Sequence, residues 1–453
     1  MSVHRSKTGT LQTPLRDIRS GEGSVLIVTM WIVLVLAGLV LVFSRSMRVE
    51  AIATANHISS AQADAIAQGA VQFIRARLNE EDETLKLEGE TPYETISVGE
   101  GFFWLLRPNY EDDNTYYYGI RDEAAKVNLN AADKDMLLKL PEMTSELAAA
   151  IVDWRDSDSD VTAGGAETEY YLLLDEPYNC KNSLFETVEE VLFCKSASHE
   201  FLYGEDMNRN GVLDDNENDG DASEPYDNQD GKLDRGFFDY VTVYSKEPNV
   251  SADGQERTNI NEGNLNEFLS EYFPADTVQN VRMSIGPRAR FDNILDFYVR
   301  SGLTPDEFKQ IEDKITTRPE EEIVGLININ TAPREVLMCL PELTEADVAA
   351  LMDKRASSDT DTDSILWITD PEVLEQEKAI AIGGLITIRS FQYSADIISV
   401  SGDGRAFRRY KAVFDTQNGE FNTLYWRSFT QLGWPLDPEV ITTLRSGGTL
   451  ERF

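Results

Sequence analysis

The sequence predicts an α+β protein: one long N-terminal helix, an antiparallel sheet assembled from two distant segments, and a large, mostly helical insertion between those segments. Three observations predict it. An uncharged apolar run, Gly23–Ser44, continues into an amphipathic stretch. Strand-like alternation occurs early in the chain and again near its end. Between the two lies an internal repeat at an offset of 200 residues.

The apolar run comes first. At 1.5 Å rise per residue it matches the ~30 Å hydrocarbon thickness of a bilayer. It is longer than the ~7–15 residues of a secretory signal core, and Arg45 and Arg48 follow it instead of a small-residue cleavage site. It therefore reads as a retained anchor. Arg5, Lys7, Arg16 and Arg19 outnumber Asp17 and Glu22 before it, which favours a cytoplasmic N-terminus. The following "RVEAIATANHISSAQADAIAQGAVQFIRARLNE" repeats apolar positions at roughly helical spacing: Ile52, Ile58, Ile66, Ala70, Phe73 and the stem of Arg77. It is alanine-rich and lacks proline, so one continuous helix of ~50 residues is expected.

The strands come next. "ETISVGEGFFWLLRP" and "TYYYGIRDEAAKVNLN" precede the repeat region. "ITIRSFQYSADIISVSGDGRAFRRYKAVFDT" and "NTLYWRSFTQLGW" follow it, with turns at Ser401–Gly404 and Gln417–Gly419. An antiparallel meander packed on the amphipathic half of the helix follows. The organisation is a leader at 1–23, the helix at 24–80, strand segments at 81–126 and 384–453, and the insertion at 127–383.

The repeat defines the insertion. "VNLNAADKDMLLKLPEMTSELAAAIVDWR" starts at Val127 and "ININTAPREVLMCLPELTEADVAALMDKR" at Ile327; a partial third copy, "TNINEGNLNEFLSEYF", starts at Thr258. Each reads as a strand or turn, a capped helix, a Leu-Pro turn and a second helix. The unit resembles the helix-hairpin-helix, whose DNA-binding form needs glycine in the hairpin so that backbone amides reach a phosphate. Here Glu142 and Glu342 stand where an anion would bind. The formal net charge of −39 points the same way, so nucleic acid is not expected as a partner.

Chemistry-bearing residues are few. His4, His57 and His199 are far apart, and no Ser/His/Asp or Cys/His set appears. Paired carboxylates could serve hydrolysis, but the acidic residues fall at ligand spacing, so an enzyme is not expected. Cys180 and Cys194 are close enough to pair in an oxidising compartment; three buried thiols, with Cys339, is the equal alternative.

The acidic loops point to calcium. In "DMNRNGVLDDNE", Asp206, Asn208 and Asn210 fall at positions 1, 3 and 5 of an EF-hand-type loop. Gly211 is at 6, the Val212 carbonyl at 7, Asp214 at 9 and Glu217 at 12. "YDNQDGKLDRGF" repeats the pattern with Asn228, Asp230 and Asp234, although Tyr226 and Phe237 stand at its first and twelfth positions; Asp227 is the substitute ligand, or this half is degenerate. In "DSDSDVTAGGAE", Asp156, Asp158 and Asp160 with Glu167 form a third candidate, bent by Gly164 and Gly165. "DTDTD" at 359–363 reads as a solvated charge run.

A charged leader ending in glycine before such a helix resembles the class III leader of type IV pilins and pseudopilins. The resemblance implies cleavage by prepilin peptidase after Gly23, with Gly21 the alternative, and a methylated Ser24 as the mature N-terminus. Val28 then stands at the fifth mature position, where most members have glutamate. "GIRDEAAKVNLNAAD", "IVDWRDSDSD", "GGAETEYYLLLDEPYNCKN", "SLFETVEEVLF" and "DYVTVYS" follow in order, and with the leader they resemble the protein K family of minor pseudopilins in type II secretion systems. That resemblance implies a pilin-like domain with a helical insertion, bound calcium, and a single-pass inner-membrane protein whose bulk is periplasmic. It also implies a place at the pseudopilus tip with the minor pseudopilins I and J, initiating and capping assembly. Asp156–Glu167 matches the family's WRD-x-D…GAE motif, whereas 206–234 and about 270–325 look like lineage additions whose ligands rest on spacing alone. The competing reading is a membrane-anchored, dockerin-like calcium-dependent binding module.

Overall fold

The structure, a computed structural model, describes residues 22–79, 93–262, 264–286 and 289–448 together with Met1, Gly9 and Leu450. Arg5, Lys7, Arg16, Asp17, Arg19 and Gly21 lie outside the described residues, as does the start of the first strand segment. The chain forms two compact units, Met1–Ser59 and Ser60–Phe453.

The first unit is helical from Glu22 onward, within an N-terminal helix that spans Glu22–Leu78. It exposes apolar side chains such as Leu26, Val28, Trp31 and Leu41. Among the described residues, this is the helix long and apolar enough to cross a membrane.

In the second unit the end of that helix packs on a sheet. The strands are β1 (Ile96–Val98), β2 (Gly101–Pro108), β3 (Tyr116–Tyr118), β4 (Arg121–Asp122), then β13 (Gln392–Val400), β14 (Phe407–Asp415) and β15 (Asn422–Ser428). The order is β1-β2-β13-β14-β15, antiparallel, with β3 on β2 and β4 on β13. The central strand β13 is buried along its whole length, because both faces are covered. One face holds Phe103, Leu105, Ile397 and Phe414 against Ile66, Ala67, Ala70 and Ile74 of the helix. The other holds Trp104, Leu106 and Ile398 against Leu436 and Leu444, the latter on the C-terminal helix Pro438–Arg445. The buried helical positions differ partly from those expected: Ile66 and Ala70 are in the core, but Ile52 and Ile58 are exposed. Both belong to the first unit, before the residues that meet the sheet. Gly101 lets helix and sheet close up, since a Cβ there would lie 2.3 Å from Ile66 Cδ1 and 2.4 Å from the Val400 carbonyl.

The insertion leaves after β4 and returns at β13. It contains three modules, each closed by a short parallel ladder: β5 (Val127–Asn128) with β6 (Val241–Thr242), β8 (Thr258–Asn259) with β9 (Ile315–Thr316), and β11 (Ile327–Asn328) with β12 (Ile386–Thr387). An antiparallel pair, β7 (Lys246–Pro248) with β10 (Glu322–Val324), ties them together. The copy at Thr258, partial by sequence, is a complete module. Its Asn261 exchanges two hydrogen bonds with the Phe291 backbone, as Asn130 does with Phe185. Arg155 and Arg355 close the first and third modules in the same way: Arg155 donates to the Leu129 and Ala132 carbonyls, and Arg355 to those of Ile329 and Ala332. The hairpin residues Glu142 and Glu342 hold φ +55° and +59°, a left-handed turn made without glycine. At the junction with the sheet, the buried Asp122 carboxylate accepts hydrogen bonds from Ala124 N, Asn328 Nδ2, Thr331 Oγ1 and Ser390 Oγ. One side chain thus joins the start of the insertion, its third module and its return to the sheet.

Candidate metal centre and acidic loops

The helix Ser145–Arg155 begins at Thr144, whose hydroxyl accepts from Leu147 N, and ends where Asp156 turns to extended backbone. Its last turn carries Asp153, fully buried, and Asp156 follows three residues on. The loop beyond folds back over this end. Thr162 N donates to both Asp153 oxygens at 3.1 and 3.2 Å. Gly165 lies flat on Asp153; a Cβ there would sit 2.1 Å from Oδ2. Lys195 Nζ holds the Gly164 and Gly165 carbonyls at 3.0 and 3.3 Å. Glu167, 4% exposed, closes the loop.

One oxygen each from Asp153, Asp156 and Glu167 lie within 4.8 Å of one another. Asn182 leans in with φ +46°, its amide donating to the Asp158 carbonyl and to Glu167 Oε2. Asp156 Oδ1, Glu167 Oε1 and Asn182 Oδ1 are buried and accept no hydrogen bond. An orphaned buried acceptor costs about 1–3 kcal/mol. Burial, then the charge of neighbouring carboxylates, pushes the Asp156 carboxyl up. Burial also raises Glu167, against the Asn182 amide, which lowers it. Converging oxygens with unfilled lone pairs and unrelieved negative charge are the donor set of a hard divalent cation.

Two of these residues escaped the sequence reading. Asp153 sits one helical turn before Asp156, a spacing that could have flagged it. Asn182 had no signal. Conversely, Asp158 and Asp160 are exposed, with Asp158 Oδ1 capping Asp160 N. The third module is an internal contrast: 200 residues on, Asp353 is exposed and Ala356 replaces Asp156. The acidic run there is exposed apart from the half-buried Thr360 and Thr362, and its Asp361 pairs with Lys309 at 2.5 Å.

The loop Asp206–Glu217 closes on itself. Asp206 accepts from the amides of Asn210 and Gly211 at 3.0 and 2.9 Å, and Glu217 from those of Met207 and Asp214 at 3.0 and 3.1 Å. Asn208 and Asn210 cap the amides two residues on, and both donate to Asp214 Oδ2. Arg209 and Gly211 take φ +56° and +75°. Asp206 and Glu217 are 5% and 1% exposed. Burial first, then the charge of nearby carboxylates, pushes Asp206 up to about 6 and Glu217 up to about 8. The second loop copies the backbone, with φ +55° at Gln229 and +75° at Gly231 and the same caps from Asn228 and Asp230. Its Tyr226 is exposed and Phe237 is in the core. Asp227 Oδ1 accepts from Gln229 N within the loop while its Oδ2 accepts from the amides of Asp219 and Gly220, and Asp234 caps Gly236 N. The three cysteines are buried free thiols.

Residues 123–202 match the family model of the first domain of type II secretion system protein K. No curated protein matches the chain. Among solved structures, a chain of the GspK-GspI-GspJ complex from the enterotoxigenic Escherichia coli type 2 secretion system is similar at 12% identity and a TM-score of 0.42. The match covers 84% of this chain and 98% of that one.

Proposed function

We propose, from the premise that residues 123–202 are a type II secretion system protein K domain, that the chain works as the K-type minor pseudopilin at the tip of a periplasmic pseudopilus. The observation that carries this reading is the position of that domain. It is inserted between β4 and the β13–β15 strands of a sheet packed on the end of a long helix whose first part is apolar. The helix from Ser24 anchors the chain in the inner membrane with its N-terminus cytoplasmic, after prepilin peptidase cuts behind Gly23. The subunit associates with the minor pseudopilins I and J, starts assembly and caps it, and performs no catalysis. Val28 supports the capping role. A carboxylate in an apolar bundle is costly unless paired, and a subunit with nothing above it needs none.

Calcium is the ion these sites suit. Asp153, Asp156, Glu167 and Asn182 would hold one ion, and Asp206, Asn208, Asn210, Val212, Asp214 and Glu217 another. Asn228, Asp230 and Asp234 offer fewer oxygens to a third. The ion would neutralise carboxylates that otherwise repel and hold the insertion's loops in shape. The dockerin-like alternative fits less well, because backbone carbonyls of the first loop are already engaged by the sheet's Arg409.

The N-terminus of the mature protein tests the assignment. Mass spectrometry should find a methylated Ser24, and co-expression should yield a complex with subunits I and J. An intact Met1 in a secreting cell would remove the pseudopilin reading.

A further inference from the structure

Arg409 is the third residue of β14 and is fully buried. Its Nε and Nη2 pair with Asp396 of the neighbouring β13, with Nη2 at 2.6 Å from Oδ2. Its remaining donors leave the sheet: Nη1 reaches the Asn208 carbonyl and Nη2 the Arg209 carbonyl. These are the third and fourth residues of the Asp206–Glu217 loop.

Other contacts seat the same loop. Arg235, 8% exposed, donates to the carbonyls of Gly211 and Asn109, both at 3.0 Å, and pairs with Asp113 at 2.7 Å. The Arg209 side chain lies over the rings of Tyr203 at 3.7 Å and Phe429 at 4.9 Å. Asn210 Nδ2 donates to the Pro435 carbonyl at 3.4 Å, and Gly211 rests on Pro108, which a Cβ would approach to 3.0 Å.

The two arginines use the carbonyls of residues 208, 209 and 211. The oxygens suited to a cation are the side chains of Asp206, Asn208, Asn210, Asp214 and Glu217 and the carbonyl of Val212. Seating and ion binding therefore draw on different atoms of one short loop, so neither blocks the other and each demands the same backbone. Neither Asp206 nor Glu217 has an ion-pair partner among the described residues. A buried guanidinium deprived of its acceptors is strongly destabilised, and clustered buried carboxylates without a cation strain the loop that carries them.

We propose that ion binding in Asp206–Glu217 and seating of the insertion on the sheet are one coupled event, with Arg409 as the positioning residue that couples them. The proposal rests on the reading that this loop takes calcium. An ion-filled loop presents its carbonyls to Arg409 and locks the insertion down; a seated loop is preorganised for the ion. By reciprocity of linkage each raises the other's equilibrium constant by the same factor.

The test uses the full-length, detergent-solubilised protein with the first centre silenced by Glu167→Gln, so that calcium titration reads the second loop. Arg409→Lys keeps the charge beside Asp396 but lacks the fork that spans two carbonyls. It should weaken calcium binding at least tenfold. It should also shrink the calcium-induced rise in melting temperature, and abolish calcium-dependent slowing of amide exchange in 407–415 while leaving some in 206–217. A merely structural role would lower the melting temperature equally with and without calcium, and that outcome overturns the proposal. Arg235→Lys, which leaves the Arg409–Asp396 pair intact, gives a second readout and should weaken binding in the same direction. Unchanged calcium affinity in both variants overturns the coupling while the calcium reading stands. If Asp206→Asn with Glu217→Gln leaves the calcium stoichiometry of the parent unchanged, the loop is not an ion site and both fall.

Discussion

Replacing Glu167 by glutamine should raise, not lower, the melting temperature of the calcium-free protein. Three carboxylate oxygens lie within 4.8 Å of one another at this centre. At an effective dielectric of about 20, each such pair of charges repels by about 3.5 kcal/mol. Neutralising Glu167 removes two of the three repulsions. Asp156 is partly exposed, and the Thr162 amide already offsets part of the Asp153 charge, so a net gain of about 1–3 kcal/mol is the reasonable scale after screening. Glutamine keeps an oxygen for the Asn182 amide, so packing changes little. With about 2–4 °C per kcal/mol for domains of 150–250 residues, the rise is a few degrees. The parent protein should instead gain stability when calcium is added, by about 2.7 kcal/mol at a hundredfold excess over Kd. Part of that increment belongs to this centre and should vanish in the variant. The assay is calorimetry in chelator and in calcium. A Glu167→Gln protein that melts below its parent in chelator and keeps the full calcium increment would refute the argument.

The same centre should be sensitive to Gly165→Ala, whose Cβ would fall 2.1 Å from Asp153 Oδ2 and 3.1 Å from the Ala149 backbone; the calcium-dependent melting shift should shrink sharply while the far-ultraviolet spectrum is unchanged. Asp122→Ala leaves four donors from three parts of the chain without their acceptor, and should cost about 3 kcal/mol or more in urea unfolding. Asp239 supplies a pH signature. Burial alone would raise its carboxyl, but Arg121, then Lys411 and Lys126, hold it down at about 2. A depressed carboxyl contributes stability above its ordinary value of 3.8 and loses it as pH falls through the folded value. The contribution, about 2 kcal/mol, should be present at neutral pH and fade between pH 4 and 2. Asp239→Asn should flatten that acid limb; an unchanged limb would mean the Arg121–Asp239 pair at 2.8 Å does not set it.

Much of the fold was legible because its signals are local. The apolar helix, the strand alternation and the turns at Ser401–Gly404 and Gln417–Gly419 depend on residues close in sequence, and the structure forms them there. The completeness of the Thr258 module was not legible. Its closing strand is only Ile315–Thr316, far too short to announce itself, and it is recognised by pairing with Thr258–Asn259. The carboxylate cluster was half legible for a similar reason. Spacing within the Asp156–Glu167 loop marked two of the clustered carboxylates, but which carboxylates are buried and which exposed depends on how the loop folds back. That fold brings in Asp153 and Asn182 and leaves Asp158 and Asp160 in solvent.

By itself the sequence determined the long apolar N-terminal helix, the acidic character of the chain, the repeats and the acidic loops, since each is written in composition or short-range spacing. Tertiary structure decided which oxygens meet. A helix end and a returning loop converge on Asp153, and Asp122 draws together segments more than 200 residues apart. A sheet arginine likewise meets the backbone of a loop 201 residues away. Those contacts arise from closing a module and docking it on a sheet, and no periodicity in the chain encodes which distant atoms will then lie side by side.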